Sequence, residues 1–327
     1  MEGTGRGREV EGAGRRPDLA EKVYAGERLT RADGEALCAG DDLVWLGGLA
    51  QRRRTDRHAD RVLVELTAGE PVPAPESYPD LLRELSVAQP DGVPVVVTAT
   101  DVRRFATATG RFVEEILDEL VDAGLGGLAG GDLEIVEPDG GQSASGWADW
   151  SRIHRAAHRR GLRTVATMRH GRAEQPGQRI DQLLRIRELQ DETGGFITFV
   201  PLRHPYDGVT PAPSPAESLK TFAVARLLLD NVPHVRASWA AYGLSTAQLA
   251  LNFGADELAG SLAEYRLLHT DGDHPAPATP DREELLDLVW DAGFRPVERD
   301  ARYTVVREYE APVPLAQRRA EPQRIWA

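Results

Sequence analysis

The sequence predicts an α/β protein built on a TIM-type (β/α) barrel. Three observations carry that reading. From residue 61 onward, short apolar runs alternate with amphipathic helical stretches. The runs are apolar on both faces, as expected for parallel strands covered by helices on each side. The stretch from Arg61 to Tyr309 is close to the ~250 residues typical of a (β/α)₈ barrel. A doubly wound sheet is the alternative. It would call for a Gly-x-Gly-x-x-Gly turn after an early strand, and "GLGGLAGG" (Gly124 to Gly131) precedes its expected strand instead.

The elements follow in order. Residues 1–17 are rich in Gly, Arg and Glu and read as a disordered tail. Residues 18–60 read as an N-terminal helical segment, with Thr30 as an N-cap and Leu43, Leu46 and Leu49 at helical spacing. Arg52 to Arg54 suit the dipole at a helix C-terminus. The barrel proper covers 61–309. Its expected strands are "RVLVEL", "PVVVTAT", "GDLEIVEP", "RTVATMRH", "FITFVPL", "HVRASW" and "YTVV". Its expected helices include "YPDLLRELSVA", "FVEEILDELVDAG" and "IDQLLRIRELQDETGG", the last ending in a double glycine stop. Residues 310–327, rich in Pro and Arg, read as a surface tail.

Composition excludes several functions. A net charge of −13 and a pI near 5.2 speak against nucleic acid or an anionic membrane as a partner. No stretch approaches the ~20 apolar residues of a membrane span, and the N-terminus has no signal-peptide core, so the expected location is cytoplasmic. Cys38 is the only cysteine. It permits neither an intrachain disulfide nor a site needing several thiolates from this chain.

Barrel active sites lie at the C-terminal ends of the strands. That rule selects Thr98, Thr100 and Asp101 after one strand, and Glu134 and Glu137 at the next. Met168, His170, Arg172 and Glu174 follow the third, and Arg203 and His204 the fourth. Trp239, Tyr242, Asp256 and Glu257 complete a polar, mixed-charge rim suited to a small polar ligand such as a nucleoside. Each pick has a structural alternative. His170 and His204 suit hydrogen-bonded loop positions, Glu134 a pair with Arg103 or Arg163, and Asp256 the N-cap of a helix beginning "ELAGSL". No metal is expected.

Four strings carry a resemblance: "RIDQLLRIRELQDETGGFITFVPLRHP" (Arg179 to Pro205), "TFAVARLLLDNVPHVRASW" (Thr221 to Trp239), "QLALNFGADELAGS" (Gln248 to Ser261) and "AGFRPVERDARYTVV" (Ala292 to Val306). They resemble aminofutalosine synthase, a radical S-adenosylmethionine enzyme of the futalosine route to menaquinone. The similarity runs from about Leu29 to Tyr309. It implies the radical SAM (β/α) barrel. In that family the first strand leads to a Cys-x3-Cys-x2-Cys loop whose thiolates hold a [4Fe–4S] cluster. This chain passes from Arg61–Val62 to "LTAGEP" within a few residues, so the cluster loop and first βα unit are expected to be missing. Cys38 lies upstream and alone, and no cluster is expected. His170 and Arg172 stand where the family has the Tyr and His of a Tyr-Gly-His motif, and Asp101 stands for a glutamate. Gly130, Gly131 and Glu134 are kept.

Three functions follow in order of preference. The first is a cluster-less, non-radical pseudoenzyme that regulates, scaffolds or binds ligand in menaquinone biosynthesis. The second is a non-radical enzyme binding S-adenosylmethionine or a purine nucleoside. The last is an active synthase. The missing unit leaves a gap whose expected cover is the "LVWLGGL" helix, the bridge from Leu66 to Pro75, or a partner in a homodimer or heterodimer.

Overall fold

A computed structural model of the protein describes residues 16–65, 72–87, 95–130, 144–172, 174–204, 212–261, 264–265 and 278–310. The chain enters through three helices: α1 (residues 16–24), α2 (Arg31–Ala39) and α3 (Leu43–His58). Thr30 caps α2 as its position predicts. The Asp33 N–H donates to the Thr30 hydroxyl, and the Asp33 carboxylate accepts from the Thr30 N–H at 2.9 Å. A reciprocal cap of this kind stabilises a helix by about 1 kcal/mol. Helix α1 starts inside the stretch read as a tail.

Ten strands follow. They are β1 (Arg61–Glu65), β2 (Val72–Pro73), β3 (Val95–Val96), β4 (Gly127–Leu128), β5 (Arg163–His170), β6 (Phe196–Arg203), β7 (His234–Ser238), β8 (Glu257–Ala259), β9 (Arg295–Arg299) and β10 (Val305–Glu308). The main ladder runs β10-β9-β1-β8-β7-β6-β5-β4, parallel throughout except for β10 on β9. β2 and β3 form a separate parallel pair, tied to the ladder by a bridge between Thr98 and Ala129. The result is a curled, partial barrel. Among the described residues its two ends, β10 and β2, are not paired with each other.

Helices α4 (Tyr78–Val87), α5 (Ala99–Thr109), α6 (Val113–Asp122), α7 (Ala144–Arg159), α8 (Pro176–Thr193) and α9 (Pro215–Leu228) cover the outside. After β7 come α10 (Trp239–Tyr242) and α11 (Leu244–Ala250), and before β9 comes α12 (Arg282–Asp291). α9 is buried nearly all round, from Ser218 to Leu228, because α3 lies over its outer face. Leu46, Leu49 and Ala50 of α3 supply that packing. The N-terminal helices therefore clothe the outer helical layer. They are not the cover of the gap, as the sequence suggested.

The gap is met from the other end of the chain. β1 pairs with β8 on one side and with β9 on the other, over Arg61↔Arg295 through Glu65↔Arg299. β9 had not been read as a strand at all. The β9–β10 hairpin thus satisfies the edge that a lost neighbour of β1 would leave bare. It also brings the main ladder to eight strands, where fewer were expected. Of the bridge, Val72–Pro73 pairs with β3, while 66–71 lie outside the described residues. The strand placed at "GDLEIVEP" (131–138) lies outside the described residues; β4 lies in the Gly-rich run before it. One other expectation changes. "ELA", read as a helix start, is β8.

Candidate functional site: the barrel lumen

Glu257 shows which side chains face the lumen. It is fully buried on β8 and reaches three other strands. Thr198 Oγ1 on β6 donates to it at 3.1 Å, Arg236 Nε on β7 at 3.0 Å, and Arg299 Nε on β9 at 3.1 Å. The Tyr303 hydroxyl, from the β9–β10 turn, donates at 3.0 Å and itself accepts from Arg236 at 2.9 Å. Tyr303 reaches in from a left-handed backbone conformation, φ +64°. Glu65 of β1 pairs with Arg299 at 2.9 Å. Burial opposes the charge on Glu257. The guanidiniums of Arg236 and Arg299 outweigh it and hold the carboxyl down at about 2. Burial, aided by Glu257, pushes the Tyr303 phenol up. The lumen therefore presents fixed charges and hydrogen-bond donors. Glu264 lies among the same groups, and burial pushes its carboxyl up.

Strand pleating makes the opposite faces point at the helices. On β5, Thr164 bonds His154 of α7 at 2.9 Å and His158 at 2.7 Å, so Thr164, Ala166, Met168 and His170 face outward. This corrects two of the rim residues read from sequence. Met168 is wholly buried in the hydrophobic core. His170 Nε2 lies 3.0 Å from the Tyr242 hydroxyl, which donates to the Pro201 carbonyl at 3.1 Å. The Tyr242 ring packs on Phe222 of α9. Burial drives His170 down to about 3. Its Nδ1 has no partner among the described residues.

The other picks divide. Thr98 and Asp101 form a capping box at α5: Asp101 N–H donates to Thr98 Oγ1 at 3.1 Å, and Thr98 N–H to Asp101 at 3.0 Å. Asp101 also pairs with Arg104 at 2.9 Å. Glu174 closes the turn after β5. It accepts from the Gly171 N–H at 2.6 Å and the Arg172 N–H at 3.0 Å, and pairs with Arg179 at 2.8 Å. So Glu174 holds the backbone that presents Arg172 at the strand's C-terminal end. His204 is buried and continues the β5–β6 ladder, its N–H donating to the His170 carbonyl at 2.7 Å. Glu134 lies outside the described residues, as does Glu137.

Asp256 is at the wrong end of the barrel for the expected rim. It precedes β8 and sits beside the first residue of β7, at the N-terminal mouth. It caps no helix. Arg226, Val235 N–H at 2.8 Å and His234 at 2.5 Å surround it. The sequence reading missed Arg236, Arg299 and Tyr303. For Arg299 and Tyr303 the signal was "RPVERDARY", where three arginines and a tyrosine crowd a short stretch around Val297.

A thiolate-held cluster does not fit the residues present. Cys38 is the single cysteine of the chain. It sits on α2, which packs against α8 and α9 in the outer layer, and its carbonyl accepts from Lys220 at 3.1 Å. Burial pushes its thiol up, away from the thiolate a cluster requires.

Comparison with known proteins agrees with the fold and sharpens the relationship. A protein-family model described as the CofH/MqnC C-terminal region matches residues 194–312. The chain is 42% identical to an aminodeoxyfutalosine synthase of Streptomyces coelicolor, covering 96% of this chain and all of that one. That alignment is 385 positions long against a chain of 327 residues, so the relative carries several dozen residues without a counterpart here. An aminodeoxyfutalosine synthase of Thermus thermophilus is 38% identical over 76% of this chain and 70% of its own length. Among solved structures, methylornithine synthase (PylB) superposes with a TM-score of 0.57 at 16% identity, over 85% of this chain and 97% of that one. The FeFe-hydrogenase maturase HydG of Carboxydothermus hydrogenoformans gives 0.60 at 13%, over 91% and 82%. No helix among the described residues is long and apolar enough to cross a membrane.

Proposed function

The chain belongs to the aminodeoxyfutalosine synthase family, and from that premise we propose that it is a non-radical member: a pseudoenzyme that keeps the barrel as a binding or regulatory module of the futalosine route and carries no cluster of its own. The observation that carries this is thiolate supply. The chain has one half-buried thiol, in the outer helical layer, where cluster chemistry needs several thiolates at the strand ends. The rearranged β1 edge supports the same reading, because β9 lies against one side of β1 and β8 against the other. The residues that would meet a ligand are those at the strand C-termini and in the lumen: Arg172 on its Glu174-pinned turn, and the Arg236–Glu257–Arg299–Tyr303 network. These groups bind and orient. None forms a nucleophile–base pair among the described residues. The chemical class that suits them is an anionic or zwitterionic nucleoside, S-adenosylmethionine included.

A working synthase is the competing reading, favoured by the 42% identity to the Streptomyces enzyme. The two part on one experiment. The purified protein is treated anaerobically with iron, sulfide and reductant, then given S-adenosylmethionine. The proposal expects no stoichiometric labile sulfide and no 5′-deoxyadenosine. Four irons and four sulfides per chain, with 5′-deoxyadenosine formed, would establish the synthase and end the pseudoenzyme reading.

A further inference from the structure

At the N-terminal mouth of the barrel, opposite the lumen's ligand-facing end, three side chains from three separate elements converge. His58 ends α3, His234 begins β7, and Asp256 leads into β8. Among the described residues they are the group of His, Cys, Asp and Glu able to hold a metal ion, with one ligand atom from each lying within 4.8 Å of the others. We propose that His58 Nε2, His234 Nδ1 and Asp256 Oδ2 form a binding site for a divalent first-row cation of the zinc class, which fastens the N-terminal helical segment to the barrel floor.

The carboxylate is prepared for this role. Its Oδ1 is occupied by the Arg226 guanidinium and by the Val235 N–H at 2.8 Å, which leaves Oδ2 turned to the two imidazoles. Arg226 is itself fixed, donating to the Gly254 carbonyl at 2.7 Å and the Pro233 carbonyl at 3.2 Å. Gly254 adopts φ +96°, and a Cβ there would meet the Arg226 Cβ at 2.6 Å. So the loop that delivers Asp256 and the arginine that orients it fit only with glycine at that position. Partners that orient a ligating carboxylate in this way are what metal sites use beyond their first ligands.

The distances suit a cation after a small shift. Ligands at 2.0–2.2 Å around a tetrahedral zinc lie about 3.3 Å apart. Asp256 Oδ2 is 3.3 Å from His58 Nε2 and 2.5 Å from His234 Nδ1. His58 Nε2 now donates to the Pro233 carbonyl at 3.0 Å and His234 Nδ1 to Asp256, so on binding each imidazole gives up that hydrogen bond, and His234 must withdraw by somewhat under an ångström. Its ring is stacked between His58 and Tyr303, with centroids 5.0 and 5.5 Å away, and can slide within that stack without leaving it. The imidazole side chains keep 15% and 18% of their exposure, while the carboxylate keeps 1%. Solvent therefore reaches the histidines, and water can complete the coordination. Two imidazoles and one carboxylate favour zinc or its first-row neighbours over calcium or magnesium, which prefer oxygen. The Arg226 charge lowers affinity and is the reason to expect a micromolar rather than a tighter site. Metal binding at Nδ1 moves the His234 proton to Nε2 as the other tautomer.

The test uses the full chain, stripped with chelator and titrated with zinc alone or cobalt(II) alone. The expected result is one zinc per chain by calorimetry and the visible absorption of tetrahedral cobalt. His58→Gln, at the solvent side of the group, should weaken zinc at least tenfold while the circular dichroism stays unchanged. His234→Gln should do the same. Zinc should raise Tm in the unaltered protein and not in His58→Gln. No zinc bound at a hundred micromolar would overturn the proposal, and so would zinc binding with equal affinity in the unaltered protein and both variants.

Discussion

Glu257 on β8 and Arg299 on β9 meet in the lumen although their strands are not neighbours. Each strand pairs with an opposite side of β1 at Leu63, and the Arg299 Nε reaches the Glu257 carboxylate at 3.1 Å across that residue. The pair clamps the C-terminal hairpin to the body of the sheet over the strand whose family neighbour is missing.

Its two halves are not equivalent under mutation. Removing Glu257 takes the shared carboxylate from two buried guanidiniums, Arg236 and Arg299, and leaves Glu65 and Glu264 to answer them. Removing Arg299 leaves Glu257 still held by Arg236, Tyr303 and Thr198. An unpartnered buried charge costs about 3–5 kcal/mol. Glu257→Gln should therefore cost about that much in urea unfolding, and Arg299→Met roughly half as much. The reverse order would show that Arg236 does not share the charge.

Arg54 is another fully buried guanidinium, and its donors go to carbonyls. They reach Ala59 at 2.8 Å, Arg61 at 2.6 Å and Ala255 at 3.2 Å, and the fork lies over the Phe294 ring at 4.0 Å from its centroid. One side chain thus joins the end of α3, the start of β1 and the approach to β8. A lysine has one nitrogen and no plane to stack. Arg54→Lys should leave buried carbonyls unsatisfied and cost about 2–4 kcal/mol. Chemical denaturation measures it, and a loss under 1 kcal/mol would mean that lysine or water satisfies the same carbonyls.

Acid should loosen the fold well before its carboxylates protonate. Burial holds His154 and His170 down to about 3. Unfolded, each titrates near 6.5. A folded value below the unfolded one means that both contribute full stability above pH 6.5 and lose it as pH falls toward 3. At pH 5 the loss is about 2 kcal/mol per histidine. Tm should drop between pH 7 and 5, and His154→Gln with His170→Gln should flatten the slope. Equal Tm at both pH values in the unaltered protein would count against the buried neutral state.

The barrel was legible because β5, β6 and β7 are long apolar runs whose alternation with helices leaves little choice of fold. β8 and β9 were not legible. Their lumen faces carry Glu257 and Arg299, and charge on a short strand reads as a turn or a helix start until the partner strands are known. For the same reason the rim picks on β5 fell on the wrong face. Sequence places His170 at the strand end, while only the contacts of Thr164 with α7 reveal which alternate residues look outward. Asp256 was misplaced too, since it follows a 3₁₀ turn and stands before β8, at that strand's N-terminal end.

The turn after β5 offers the sharpest test of ligand binding. Glu174 spends its carboxylate on two backbone N–H groups and Arg179, so it does structural work beneath Arg172. The two residues should then separate in experiment. Glu174→Gln exchanges a buried anion for an amide facing Arg179 and should lower Tm by several degrees, as expected for a loss of about 1–3 kcal/mol. Arg172→Ala should leave Tm nearly unchanged. If Arg172 meets a ligand carboxylate or phosphate, its loss should weaken binding by about 1–3 kcal/mol, the usual range for a charge-assisted hydrogen bond. Calorimetry with S-adenosylmethionine, S-adenosylhomocysteine, adenosine and futalosine-type nucleosides measures it, alongside mass spectrometry of metabolites that co-purify. Binding that is unchanged in Arg172→Ala would remove that residue from the site. No binding of any of these at millimolar concentration would leave the barrel a vestigial pocket, and the protein's role would then rest on a protein partner.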